Sequence, residues 1–160
     1  MMLTEAAAWK ILEDVTDPEI PVVSLIEMGI IRAVRVDGEQ ITVKMTPTFS
    51  GCPALTVMIE DIERALRAAG APAVEVKTVL SPPWSSDWIT ESGRAKLKAF
   101  GLAPPPQHGG NMVVTFFEPV ACPRCDSTHT TIRNSFGPTL CRAIYYCEDC
   151  QEPFEQFKPI

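Results

Sequence analysis

Four of the six cysteines in this 160-residue chain fall into two Cys-x2-Cys pairs, Cys122/Cys125 and Cys147/Cys150, separated by 21 residues. Each pair can set two thiols on one turn, and two such turns brought together make a tetrahedral four-sulfur site. The separation is slightly longer than the roughly 15–20 residues usual between such pairs. A site closed by four thiolates leaves no position for water or substrate, so its expected role is structural, with Zn2+ holding a small module together. Iron held by the same four cysteines, serving electron transfer, is the alternative, because tetrahedral sulfur suits either metal.

Cys52 is a different kind of thiol. It directly precedes Pro53, and proline is favoured at the first position of a helix. The sequence therefore predicts Cys52 at or near a helix N-cap, where backbone N–H groups and the helix dipole favour a thiolate. A small buried thiol filling a gap is the other reading. Cys141 is expected as a packed core thiol, with a spare ligand or redox partner as the alternative. Asp17 and Glu19 bracket Pro18; such carboxylates can ligate iron or do acid/base work, although turn bonds are their commoner use. Trp84 and Trp88 lie in a proline-bearing loop, either to anchor a partner surface or to fold back onto the domain. The two histidines, His108 and His129, lie far along the chain from Cys52, so nothing points to a Cys/His hydrolase. Neither a GxGxxG nor a GxxxxGK[ST] pattern occurs, which argues against nucleotide-dependent catalysis.

The charge balance narrows the partners. A net charge of −6 and a pI near 4.9, with no basic cluster, argue against nucleic acid, whose phosphates require grouped Lys and Arg. No apolar run approaches the length of a membrane span, and the first residues lack the pattern of a signal peptide. A cytoplasmic protein is expected, with its cysteines reduced and suited to metal ligation rather than disulfides.

These groups need positioning. Helical spacing predicts a helix over residues 4–15, ended by Asp17-Pro18, and a hairpin of strands 30–36 and 40–46 joined at Asp37-Gly38. A helix over 53–69, a strand over 73–80 and a helix over 90–100 follow. Ala103-Pro104-Pro105-Pro106 and Gly109-Gly110 mark a joint. Beyond it, 112–117 reads as a strand, and 128–135 with 139–146 as a hairpin around Phe136-Gly137-Pro138. The expected class is α+β: a small mixed sheet with helices on one face, plus a C-terminal all-β zinc-ribbon module too poor in apolar residues to fold without a metal. The expected divisions are a first domain over 1–103, a linker over 104–111 and the four-cysteine module over 112–160.

Asp17-Pro18-Glu19-Ile20-Pro21, the hairpin, Thr46-Pro47-Thr48, Gly51-Cys52-Pro53 heading a helix, and Trp84-Ser85 together resemble the MIP18-type (DUF59) family associated with iron–sulfur cluster assembly. Cys122-Pro123-Arg124-Cys125-Asp126-Ser127, Phe136-Gly137-Pro138-Thr139-Leu140-Cys141-Arg142-Ala143 and Cys147-Glu148-Asp149-Cys150-Gln151-Glu152-Pro153-Phe154 extend the likeness. With them, nearly the whole chain resembles the PaaD (PaaJ) family, one of the components of the bacterial phenylacetyl-CoA epoxidase (phenylacetate-CoA ring-oxygenase) system. The resemblance implies an accessory, non-catalytic role in aerobic phenylacetate degradation, beside a di-iron oxygenase and an iron–sulfur reductase. It implies that Cys52 is the reactive or cluster-handling cysteine and that Asp17 and Glu19 form the acidic turn. A transient iron–sulfur cluster at Cys52 would need further ligands from a homodimer, a partner or Cys141. A rubredoxin-like electron carrier and a structural subunit of the oxygenase complex are the alternatives.

Overall fold

Thr4 opens the first helix by accepting the Ala7 N–H on its hydroxyl (3.2 Å), and α1 (Glu5–Leu12) buries Ala8 and Leu12. The computed structural model describes residues 2–115 and 118–160. They form two compact units, divided between Trp84 and Ser85.

In the first unit, residues 13–30 make a folded loop rather than a bare connection. The Asp17 carboxylate accepts the N–H groups of Glu19 (2.8 Å) and Ile20 (3.1 Å). Ser24 and Glu27 cap one another reciprocally, Glu27 N–H donating to the Ser24 hydroxyl (3.1 Å) and Ser24 N–H to the Glu27 carboxylate (3.0 Å). So braced, the loop sends Ile20, Val23, Leu25, Met28 and Ile30 into the core.

β1 (Ile31–Asp37) and β2 (Gln40–Met45) form the expected hairpin. Its turn passes through Gly38 at φ +59°, the left-handed region that suits glycine. β2 alternates as the sequence implies, burying Ile41, Val43 and Met45 on one face. The crossover helix α2 (Leu55–Ala68) buries Met58, Ile62 and Leu66 and delivers β3 (Ala73–Thr78) parallel to β2. The sheet order is β1-β2-β3.

The second unit starts earlier than the joint at 104–111 suggests. A 3₁₀ turn (Ser86–Trp88) leads into α3 (Glu91–Phe100), which Thr90 caps by accepting the Gly93 N–H (3.0 Å). Gly101 at φ +93° ends it, and β4 (Leu102–Ala103) pairs in parallel with the last strand. This pairing is why residues 85–103, expected with the first domain, group with the second.

The Pro/Gly segment 104–110 is tied down. Asp87 accepts the N–H groups of His108 (2.9 Å) and Gly109 (2.8 Å). Arg94 donates to the carbonyls of Ser86 (2.8 Å) and Pro105.

The strand expected over 112–117 is replaced at its start by one helical turn, α4 (Met112–Thr115); residues 116 and 117 lie outside the described residues. Asn111 accepts the Val113 N–H (3.2 Å) and the Thr115 hydroxyl donates to the Met112 carbonyl (2.7 Å). Such local side-chain bonds outweigh the β-propensity of a short Val-Val-Thr run.

β5 (Thr130–Asn134), β6 (Arg142–Cys147) and β7 (Pro153–Phe157) complete a sheet of order β4-β7-β6-β5. β7 has no counterpart among the sequence expectations, since it is short and begins on proline. It nonetheless carries buried Phe154, Gln156 and Phe157.

Replacing Asp87 with alanine removes two charge-assisted bonds to the 104–110 strap and should cost the second unit about 1–3 kcal/mol. Thermal denaturation, with faster amide exchange at His108 and Gly109 and no change in β1–β3, is the expected readout.

Candidate metal centre

The two Cys-x2-Cys turns adopt the same local structure. The N–H of the first cysteine in each donates to the carbonyl five residues on: Cys122 to Ser127 (2.8 Å) and Cys147 to Glu152 (3.0 Å). The residue after each second cysteine has a positive φ, Asp126 at +61° and Gln151 at +59°. That rare conformation turns the chain back sharply and aims both thiols of a pair to the same side.

All four Sγ atoms lie within 4.8 Å of one another. Cys122 and Cys150 are 3.8 Å apart and Cys125 and Cys147 are 3.5 Å apart. Both distances are far too long for a disulfide, whose S–S bond is about 2.0 Å. They match a metal tetrahedron: sulfurs about 2.3 Å from a zinc ion lie about 3.8 Å from each other. The donor set therefore fits a four-coordinate, all-sulfur metal site, with Cys122, Cys125, Cys147 and Cys150 as the residues that would hold the ion.

The thiols do not ionise alike. Backbone N–H groups of Cys150 and Asp149 favour the Cys147 thiolate and bring it down to about 7. Burial and the neighbouring sulfurs push Cys150 up to about 12. Thiolates this close repel one another, and a shared divalent cation is what reconciles them.

Side chains outside the sulfur shell fasten the two turns together. Asp149 accepts the Ser127 hydroxyl and lies 3.3 Å from His129 Nδ1. These bonds, the one from Ser127 first, hold the Asp149 carboxyl below its ordinary range. Arg124 pairs with Glu152 (3.0 Å). His129 thus supports the site from outside without contributing a ligand. Cys141 is buried beside the Thr139 hydroxyl (3.1 Å) and is not a member of the four-sulfur group, in keeping with a packed thiol.

The remaining candidates occupy the first unit. Cys52 does not reach the N-cap of α2: that place is taken by Ala54, which makes no side-chain cap bond. Cys52 instead lies in the tight turn two residues earlier, its N–H donating to the Phe49 carbonyl and its own carbonyl accepting the Leu55 N–H (both 3.2 Å). It is half-buried. Asp17 is 9% exposed, and one of its carboxylate oxygens brackets the Glu19 and Ile20 N–H groups. Among the described residues, Cys52, Asp17 and Glu19 do not make a metal-sized group; the four ribbon cysteines are the one such set.

Trp84 folds back: it is 3% exposed, and its indole N–H donates to the Met28 carbonyl (2.9 Å). This is the second of the two arrangements its place in the loop left open, folding back onto the domain rather than anchoring a partner. Trp88 is half-buried in the 3₁₀ turn.

One constellation was not visible in the sequence. Ser85 Oγ is 3.4 Å from His108 Nε2, and Asp87 is 3.7 Å from His108 Nδ1. The order mimics a hydrolytic triad, but the hydrogen bonds deny the chemistry. Nδ1 accepts the Gly110 N–H (3.0 Å), so the proton of a neutral ring sits on Nε2, where the Ile160 carbonyl is 3.1 Å away. A general base needs that Nε2 lone pair open. The group is a clasp for the strap.

Fold and site together define a class of protein: an iron–sulfur-assembly-type α+β domain followed by a four-cysteine β ribbon. Residues 5–80 match the family described as iron-sulfur cluster assembly protein, and residues 114–158 match the PaaD zinc beta ribbon domain. The chain is 41% identical over 152 residues, 95% of its length and 91% of the relative's, to an Escherichia coli K12 protein provisionally named as a subunit of 1,2-phenylacetyl-CoA epoxidase. The chain belongs to the PaaD family.

The chain is also 33% identical over 96 residues to an Fe-S protein maturation auxiliary factor of Porphyromonas gingivalis, covering 59% of this chain and 90% of that one. A solved DUF59 domain from Bacillus anthracis superposes with a TM-score of 0.54 at 28% identity, covering 58% of this chain and 90% of that chain.

Stripping the metal with a strong chelator should unfold the ribbon strands β5–β7 while β1–β3 stay folded. Structural zinc contributes about 10–16 kcal/mol in peptide systems, as much as a whole domain's stability of about 5–15 kcal/mol. Amide NMR spectra before and after chelation, with Cys147→Ser showing the same selective loss, would establish it.

Proposed function

We propose that this chain is an accessory factor of a phenylacetyl-CoA epoxidase system, serving assembly of an iron or iron–sulfur centre rather than catalysing a reaction itself. The reading is carried by one observation. The likeness to the Escherichia coli protein covers 95% of the chain and so reaches both units, while proteins named as Fe-S maturation factors share 59% and 52% of it, and the iron-sulfur cluster assembly match lies at residues 5–80. A maturation domain joined to a ribbon in one chain suits a factor dedicated to a particular client.

In this role the first unit does the chemistry. Cys52, held in a turn ahead of α2 by backbone bonds on both sides, supplies a soft thiolate as a transient iron ligand. Asp17 and Glu19 form the acidic turn, with Asp17 fixing its geometry. One thiolate cannot hold a cluster alone, so completing the ligand set falls to a second copy or the client. The ribbon, its metal closed by four thiolates, serves as a docking module toward the di-iron oxygenase and iron–sulfur reductase components. No helix among the described residues is long and apolar enough to cross a membrane, which suits partners of this kind.

Cys52→Ser should leave the fold intact, since the turn is held by main-chain bonds, and should lower the iron content of the co-expressed oxygenase several-fold. Metal analysis of the purified oxygenase is the test; iron content equal to that obtained with the unaltered chain would sink the role assigned to Cys52. A visible absorption band on the isolated chain that bleaches on reduction would favour the electron-transfer alternative instead.

A further inference from the structure

The two cysteine turns are equivalent in backbone, but their second cysteines are not equivalently covered. Cys122 and Cys147, the first of each pair, are both fully buried and pack in one cluster with Ala103 and Phe154. Cys150, the second of its pair, is half-buried and packs against that cluster. Cys125, its counterpart in the other turn, is exposed. Its chain neighbours Arg124 and Asp126 turn outward, their side chains 52% and 69% exposed and engaged at the surface with Glu152 and Lys98. One of the four ligand positions is therefore on an exposed residue, and the other three are on residues covered to differing degrees.

Resting on the metal-centre reading above, we infer that Cys125 is the labile corner of the site. It is the ligand that small thiol-directed electrophiles modify first, and its modification releases the metal. Thiolate reactivity follows access, and a sulfur sealed in a packed core is inert by comparison. With iodoacetamide as the electrophile, the Cys125 sulfur forms a bond to the methylene carbon as the carbon–iodine bond breaks and iodide leaves. The thioether that remains is neutral, so the donor set falls from four thiolates to three and the tetrahedron is no longer closed. Because Cys122 and Cys147 are at once ligands and core residues, loss of the metal at the exposed corner reaches directly into the packing of the ribbon.

The test uses the full chain loaded with one zinc per molecule and treated with iodoacetamide. Labelled cysteines are mapped by peptide mass spectrometry over time, and released zinc is read with a chromophoric chelator. Cys52 and Cys141 lie on separate peptides and are scored apart. Cys125 should react at least about tenfold faster than Cys122 and Cys147, and zinc release should follow the Cys125 curve. Three results would overturn the inference while leaving the metal site standing: the four ribbon cysteines reacting at one rate, Cys150 reacting first, or zinc retained after Cys125 is fully modified. A purified chain that binds no metal would overturn the inference and the metal-centre reading together.

Discussion

Everything in the second unit turns on four sulfur atoms lying within 4.8 Å of one another. The strands around them are short, and β5 is exposed along most of its length. The buried cluster beneath the site consists of Ala103, Cys122, Cys147 and Phe154, so half of its members are also ligands. Here the candidate ligands and the apolar packing share the same residues. The bonds from Asp149 and Arg124 join the two turns around the site, outside the sulfur shell.

The first unit stands on different physics. Its core is built from α1, α2, β2 and the loop 13–30 and needs no metal, since each contributes fully buried aliphatic side chains. Asp17 illustrates how a chemically suggestive residue can be used structurally: its carboxylate organises the loop that delivers Ile20 and Val23 to that core. Trp84 closes the same core by satisfying the Met28 carbonyl. The two units are thus built differently, the first around an aliphatic core and the second around four clustered cysteines.

Most of the elements were legible because they are local. The helix starts near residues 4 and 90, the Asp37-Gly38 turn and the alternation in β2 are decided within a few residues, and the structure repeats them. What misled was also local in appearance: Met112-Val113-Val114 reads as strand until the Asn111 and Thr115 side chains bind the backbone first. β7 escaped because its stability comes from β6 and β4 on either side, and β4 lies far back along the chain. The Pro/Gly segment reads as a hinge from composition, yet Asp87 and Arg94, distant in sequence, fasten it.

By itself the sequence determined the donor set. Two Cys-x2-Cys pairs specify four thiols and, through their spacing, a tetrahedral site, because ligand chemistry depends on residue type and the reach of a short turn. Only the tertiary structure decided how those four thiols differ. Burial is a property of what the rest of the chain lays over a residue, so two cysteines in matching positions, Cys125 and Cys150, came to have unlike exposure. The same holds for Trp84 and Cys52. The sequence marked them as notable residues, and packing turned the first inward and set the second in a turn ahead of its helix rather than at the cap.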